Sequence, residues 1–165
     1  MLREEWAVID EEVERLRIHV LAGKPLLDSL RDREPTHIEL MASCTMLHGF
    51  YNGIEKICRS VSEFTGEKWT GQKDGEGWHK RLLDSMMQGN SFRPALVSEP
   101  LYETLLEYLR FRHLFRHAYF QELNWRRMAH LLKNLEKTFE QFLSEVSTFK
   151  DKMEESEQRK GDGTK

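Results

Sequence analysis

The sequence predicts an all-α fold, an antiparallel bundle of four long helices plus a short one. Three observations carry that expectation. Apolar residues recur at alternating steps of three and four along four separate stretches, which is the period of a helix face and not of a strand. No strand-like alternation is long enough to build a sheet, and no internal repeat is present. Four prolines and ten glycines in 165 residues leave room for long uninterrupted helices.

The first stripe is Leu2, Trp6, Ile9, Val13, Leu16 and Val20. Gly23-Lys24-Pro25 is expected to end or bend this helix, with a short continuation through Leu30. Thr36, after Pro35 and with Glu39 three residues on, has the capping-box pattern and should open the second helix. Leu40, Cys44, Leu47, Tyr51, Ile54, Cys58 and Val61 then repeat at the same steps, and Phe50, Ile57 and Phe64 widen the stripe, so this helix should be the most buried. Its other side stacks His48, Asn52, Glu55 and Arg59. A polar stripe of that kind is usually a solvated face and less often the wall of a site.

A short helix is expected from Trp78 to about Gln88, followed by an irregular stretch holding Pro94 and Pro100. Ser98 should cap the fourth helix, whose first turn suits Glu99, Pro100 and Glu103. That helix carries Leu101, Leu105, Tyr108, Arg112, Phe115 and Tyr119 in heptad-like register. Asn124 can cap the last one, where Trp125, Met128, Leu132, Leu135, Phe139, Phe142, Val146 and Phe149 keep the stripe for about seven turns. Residues 151–165 are charged and nearly free of apolar side chains, and read as a flexible tail beyond a single domain at 1–150.

Composition excludes several classes. Hydrophobic residues at 39 % and charged residues at 32 % suit a globular protein and are too apolar for a disordered chain. No apolar run approaches the length of a membrane span, and Met1–Trp6 shows no secretory signature, so a cytoplasmic protein without a membrane is expected. Cys44 and Cys58 lack CxxC spacing and read as two reduced, packed thiols. The glycine-rich loop at 65–77 resembles a phosphate-binding loop only superficially: Gln72 and Lys73 follow Gly71 where Lys and Ser or Thr are needed. The net charge of −3 argues against general nucleic-acid affinity, yet residues 110–133 hold six Lys or Arg and one acid, Glu122, a local charge of +5.

That basic stretch contains the residues that carry chemistry. Between Tyr108 and Tyr119, a helix buried through Leu101 and Leu105 presents Arg110, Arg112, Arg116, His113, His117 and Tyr119. A guanidinium is a permanently charged fork that matches a phosphate, and an imidazole exchanges protons near neutral pH. Together they supply what phosphodiester cleavage without a metal requires, a base for the attacking 2′-hydroxyl and a cation for the charge on phosphorus. Rival readings stand beside this one. The basic residues can line a solvent-facing helix end, where cations also favour the negative end of the dipole. His113 and His117 have the spacing of two imidazoles on one metal, but no carboxylate or further His stands nearby to complete a ligand set. Tyr119 can be a core aromatic with its hydroxyl at the surface.

Helix geometry constrains the first reading. At about 100° per residue, Arg112 shares a face with Tyr119, and Arg110 with His117, whereas Arg112 and His117 point about 140° apart. Joint action by Arg112 and His117 therefore requires a helix break near Phe115 or two copies of the chain.

Arg112, four intervening residues and His117, followed by Ala118 and Tyr119, resemble the R-x4-6-H motif, extended by H-x-Y, of HEPN-domain proteins of the HepT-like ribonuclease toxin family. Phe50-Tyr51-Asn52-Gly53-Ile54-Glu55, Trp78-His79-Lys80-Arg81-Leu82-Leu83 and Phe120-Gln121-Glu122-Leu123-Asn124-Trp125 agree with it, and the resemblance spans roughly residues 5–150. It implies a HEPN-like bundle, a homodimer whose two motifs meet in a composite cleft, and a metal-independent endoribonuclease that needs no cofactor. In that reading Arg112 binds the scissile phosphate or stabilises the phosphorane, His117 is general base or acid, and Arg110 and Arg116 are candidate RNA contacts. The product is a 2′,3′-cyclic phosphate. The resemblance also implies a toxin–antitoxin pair in which a cognate nucleotidyltransferase antitoxin attaches AMP to Tyr119, adding bulk and negative charge to the cleft. His113 after the motif arginine and Phe120 after the tyrosine depart from the small polar residue and the glycine common in similar sequences. They leave open a non-catalytic helical partner of a nucleotidyltransferase, or an inactive bundle in which the motif is chance.

Overall fold

Thr36 starts the helix on which the bundle is assembled. Its hydroxyl accepts the Glu39 backbone N–H at 3.3 Å and its own N–H donates to the Glu39 carboxylate at 2.8 Å, the reciprocal pair of a capping box. The Arg33 guanidinium grips the same carboxylate at 2.6 and 2.9 Å, and with the Thr36 amide holds its pKa down at about 2.

The computed structural model describes residues 2–67, 77–117 and 123–162, which form α1 (Leu2–Ser29), α2 (His37–Phe64), α3 (Gly77–Gln88), α4 (Glu99–His117) and α5 (Trp125–Asp162). Among the described residues there is no strand. The all-α bundle of four long helices and a short one is thus the architecture found.

The expected burial of α2 is also found. It packs against each of the other four helices, and Cys44, Leu47, Phe50, Ile54, Ile57 and Val61 are fully enclosed. Both cysteines are free and buried, and burial pushes the thiol pKa up to about 11 at Cys44 and about 12 at Cys58, which keeps them protonated and inert.

The expected helical continuation past Gly23-Lys24-Pro25 is found: α1 runs to Ser29 with Pro25 inside it. A Cβ at Gly23 would lie 2.1 Å from Met46 Cε, so this glycine serves a close approach of α1 to α2 rather than a stop. Beyond it, Leu27 and Leu30 are buried and Lys24 pairs with Glu136 of α5 at 2.7 Å, contacts that outweigh the one backbone hydrogen bond that a proline removes. One expectation is corrected: the charged end of the chain is not a tail from residue 151, because α5 runs on to Asp162. Its Glu, Lys, Gln and Arg are good helix formers, and Met153, 8 % exposed, carries the buried stripe one turn past Phe149.

The connections hold the ends of the site-bearing helices. Gly89, at φ +60°, closes α3, and Asn90 Oδ1 then accepts the backbone N–H groups of Phe92 and Arg93. The enclosed Arg93 side chain donates to Glu67 at 2.6 Å, to the Ser85 carbonyl at 3.0 Å and to the Pro94 carbonyl at 3.2 Å, tying the end of α2 to the segment before α4. Ser98 Oγ accepts the Leu101 N–H, and its own N–H and hydroxyl donate to Glu145 of α5 at 2.6 and 2.7 Å. Asn124 Oδ1 accepts the Arg126 N–H at the start of α5. Both predicted caps are therefore in place.

Removing the capping box by Thr36→Ala should lower stability by about 1 kcal/mol, and emptying the centre of α2 by Ile54→Ala should cost about 2–5 kcal/mol. Urea unfolding followed by circular dichroism measures both, and an Ile54→Ala loss no larger than the capping loss would contradict the central position of α2.

Candidate functional site

Arg112 occupies a position that the register of α4 reserves for the core. Leu101, Leu105 and Tyr108 precede it on the same face and are all buried, and Arg112 itself is only 8 % exposed. A permanent charge withdrawn from water must be met by hydrogen-bond acceptors. The polar stripe of α2 supplies them.

Arg112 Nε donates to Asn52 Oδ1 at 2.8 Å, and one terminal nitrogen donates to His79 Nε2 at 3.2 Å. A guanidinium has no lone pair to offer, so His79 Nε2 must be the acceptor and its ring proton sits on Nδ1. That Nδ1–H donates to the Glu55 carboxylate. Glu55 and His79 are 8 % and 4 % exposed, so three buried polar groups from α2, α3 and α4 form one continuous chain. Burial lowers the His79 pKa; Glu55 acts in the opposite direction, and the charges of Arg112 and His113 lower it further.

The amide of Asn52 extends the chain. Its Nδ2 donates to His48 Nε2 at 3.0 Å, which puts the His48 proton on Nδ1, an atom with no hydrogen-bond partner among the described residues. Burial, then the charges of Arg112 and Arg116, hold the His48 pKa below its ordinary value. Aromatic rings close the surroundings: Phe115 lies 5.3 Å from the His48 ring, the Trp78 ring lies tilted against His79 at 3.8 Å, and His113 meets His79 edge-on at 5.8 Å. Arg59 lies 4.8 Å over the Trp78 ring and 3.8 Å from Glu55.

The stripe His48, Asn52, Glu55 and Arg59 is thus not a uniformly solvated face: Glu55 is buried, His48 and Asn52 are partly buried, and together they form the polar wall against which Arg112 packs. His79 joins it from α3. Among the described residues of the predicted constellation, Arg112 is held by this wall through hydrogen bonds to Asn52 and His79. Arg110, Arg116 and His117 are exposed, and His113 is half-buried. The helix does not break near Phe115: α4 is continuous to His117, and Phe111 and Phe115 stack along it at 6.0 Å. Arg112 and His117 consequently stay on different faces, one buried and one exposed. Arg110 lines a separate cleft between α4 and α5 with Phe111, Leu114, Asn124 and Arg127. Tyr119 and Phe120 lie outside the described residues, as do residues 68–76 of the glycine-rich loop. Among the described residues, no three His, Cys, Asp or Glu side chains are grouped to hold a metal ion, and no helix is long and apolar enough to cross a membrane.

Fold and site define a class: a helical bundle whose central helix walls in a buried arginine on the fourth. The family model described as HepT-like protein matches residues 42–153, more than half of the chain, and the chain belongs to that family. The matched span contains the whole arginine wall and His117, whereas α1 precedes it. No curated protein and no solved structure matches the chain significantly.

Because His48 and His79 both titrate below the ordinary histidine value in the folded chain, the unfolded chain binds protons first on acidification. Their contribution to stability is complete above about pH 6.5 and is lost as pH falls from there through the lowered folded values. Urea unfolding between pH 8 and pH 5 (roughly, the range around the histidine reference value) should show that fall, and His79→Gln should make it shallower. An unchanged pH slope in the variant would contradict the buried neutral imidazole.

Proposed function

We propose that this chain is the ribonuclease toxin of a bacterial toxin–antitoxin pair, cleaving RNA without a metal through Arg112 and His117 of two chains. The observation that carries the reading is the buried guanidinium of Arg112, oriented by Asn52 and His79 on a wall built from α2 and α3. Membership of the HepT-like family, which is associated with ribonuclease toxins, supports it. So does the excess of basic side chains between residues 110 and 133.

His117 takes the proton of an RNA 2′-hydroxyl, whose oxygen attacks the adjacent phosphorus. The 5′-oxygen leaves and takes its proton from solvent water, and the product ends in a 2′,3′-cyclic phosphate. Arg112 neutralises the charge that builds on the phosphorane oxygens. Since α4 is continuous and turns the two side chains about 140° apart, the arginine of one chain works with the histidine of its partner, and the homodimer is the active unit. Exposed Arg110 and Arg116 contact the RNA backbone on either side. A nucleotidyltransferase antitoxin silences the cleft by adding AMP to Tyr119: the phenol oxygen attacks the α-phosphorus of ATP and pyrophosphate leaves.

Purified dimer should cleave RNA in EDTA and leave cyclic phosphate ends, with Arg112→Ala and His117→Ala each slower by about 100-fold or more. Intact RNA with the wild-type chain, or full cleavage by His117→Ala, overturns the reading. Incubation with ATP, magnesium and a cognate nucleotidyltransferase should add adenylate mass to the wild type and none to Tyr119→Phe.

A further inference from the structure

Glu55 could neutralise Arg112 most simply by touching it. Instead the imidazole of His79 stands between them, donating to the carboxylate through Nδ1 and accepting the guanidinium at Nε2. A neutral spacer lets the arginine be held firmly without its charge being cancelled by direct contact. A direct carboxylate pair would compete with any anionic ligand for the same donors. The arrangement is that of a base oriented by a carboxylate, but here the imidazole lone pair is spent on the arginine.

We propose that His79, oriented by Glu55, is a positioning residue for Arg112, fixing the direction of the guanidinium only while the imidazole is neutral. This rests on the reading of Arg112 as the phosphate-stabilising group. The dependence on charge follows from donor bookkeeping. Protonated imidazole carries N–H on both nitrogens, so the contact at 3.2 Å turns into two donors and two cations facing each other. Arg112 must then lose that anchor and, among the described residues, keeps its bond to Asn52.

Among the described residues, the charged and titratable groups around His79 are Glu55 on α2, with Arg59 beside it, and Arg112 and His113 on α4. Of these only Glu55 favours the imidazolium. Burial and the cations oppose it, so the neutral state persists through the neutral range and the anchor fails only in acid. Removing the Glu55 charge should push that failure to still lower pH.

Two readouts on the full-length chain test the proposal. Nitrogen-15 NMR of the imidazoles should find the His79 proton on Nδ1 near pH 7. The Arg112 Nε–H resonance should follow the titration of His79 on acidification, equally in wild type and His117→Ala. It should not move in this way in His79→Gln, whose amide oxygen accepts the guanidinium but does not titrate, and in Glu55→Gln the transition should shift to lower pH. In RNA cleavage, His79→Leu should lose roughly 10- to 100-fold in kcat/KM, with His79→Gln recovering most of it and showing a less steep acid limb than wild type. A proton on Nε2, an Arg112 resonance indifferent to His79 titration, or wild-type kcat/KM in a folded His79→Leu chain overturns the proposal. Should the wild type leave RNA intact while the NMR coupling is present, the ribonuclease reading fails and the positioning of Arg112 by His79 stands.

Discussion

A guanidinium cannot shed its charge, and Arg112 sits where the register of α4 faces the core. Everything polar around it follows from that constraint. Asn52 and His79 are the acceptors that replace lost water, Glu55 fixes the ring that does the accepting, and His48 in turn receives the Asn52 amide. Without Asn52 or His79 the buried guanidinium is short of an acceptor, which costs more than the bond itself contributes. The polar chain therefore adds to the apolar core in fixing how α2, α3 and α4 sit against one another.

The apolar core makes that specification affordable. Six or more side chains of α2 are fully enclosed, and the helix is pinned at its start by a reciprocal cap and at its end by the Arg93–Glu67 lock. A rigid central helix keeps Asn52 and Glu55 within fixed reach of their partners. The same rigidity runs through α4, whose stacked Phe111 and Phe115 carry the helix past the point where it would have to break for Arg112 and His117 to meet within one chain.

Much of this was legible in the residues. Capping at Thr36, Ser98 and Asn124, the buried stripes, and the burial of α2 each depend on interactions within a few residues or on a strict helical period. One misreading has a local cause. The charged end looks like a tail when judged on composition alone, and the core contact of Met153 overrides that composition. The stripe of His48, Asn52, Glu55 and Arg59 was visible as a stripe but not as a wall. One signal was available: Arg112 falls in register with Leu101, Leu105 and Tyr108, and a charge on a core face demands acceptors opposite it.

By itself the sequence determined the helical class, the number and limits of most helices, and Arg112 as the residue to follow. These rest on periodicity, capping chemistry and a motif, all of them local in the chain. Tertiary structure alone decided which groups hold Arg112. His79 is 33 residues away and Asn52 is 60, and no spacing rule relates positions so distant. Their meeting depends on how three helices pack, and the proton on His79 is assigned only when the guanidinium stands next to it.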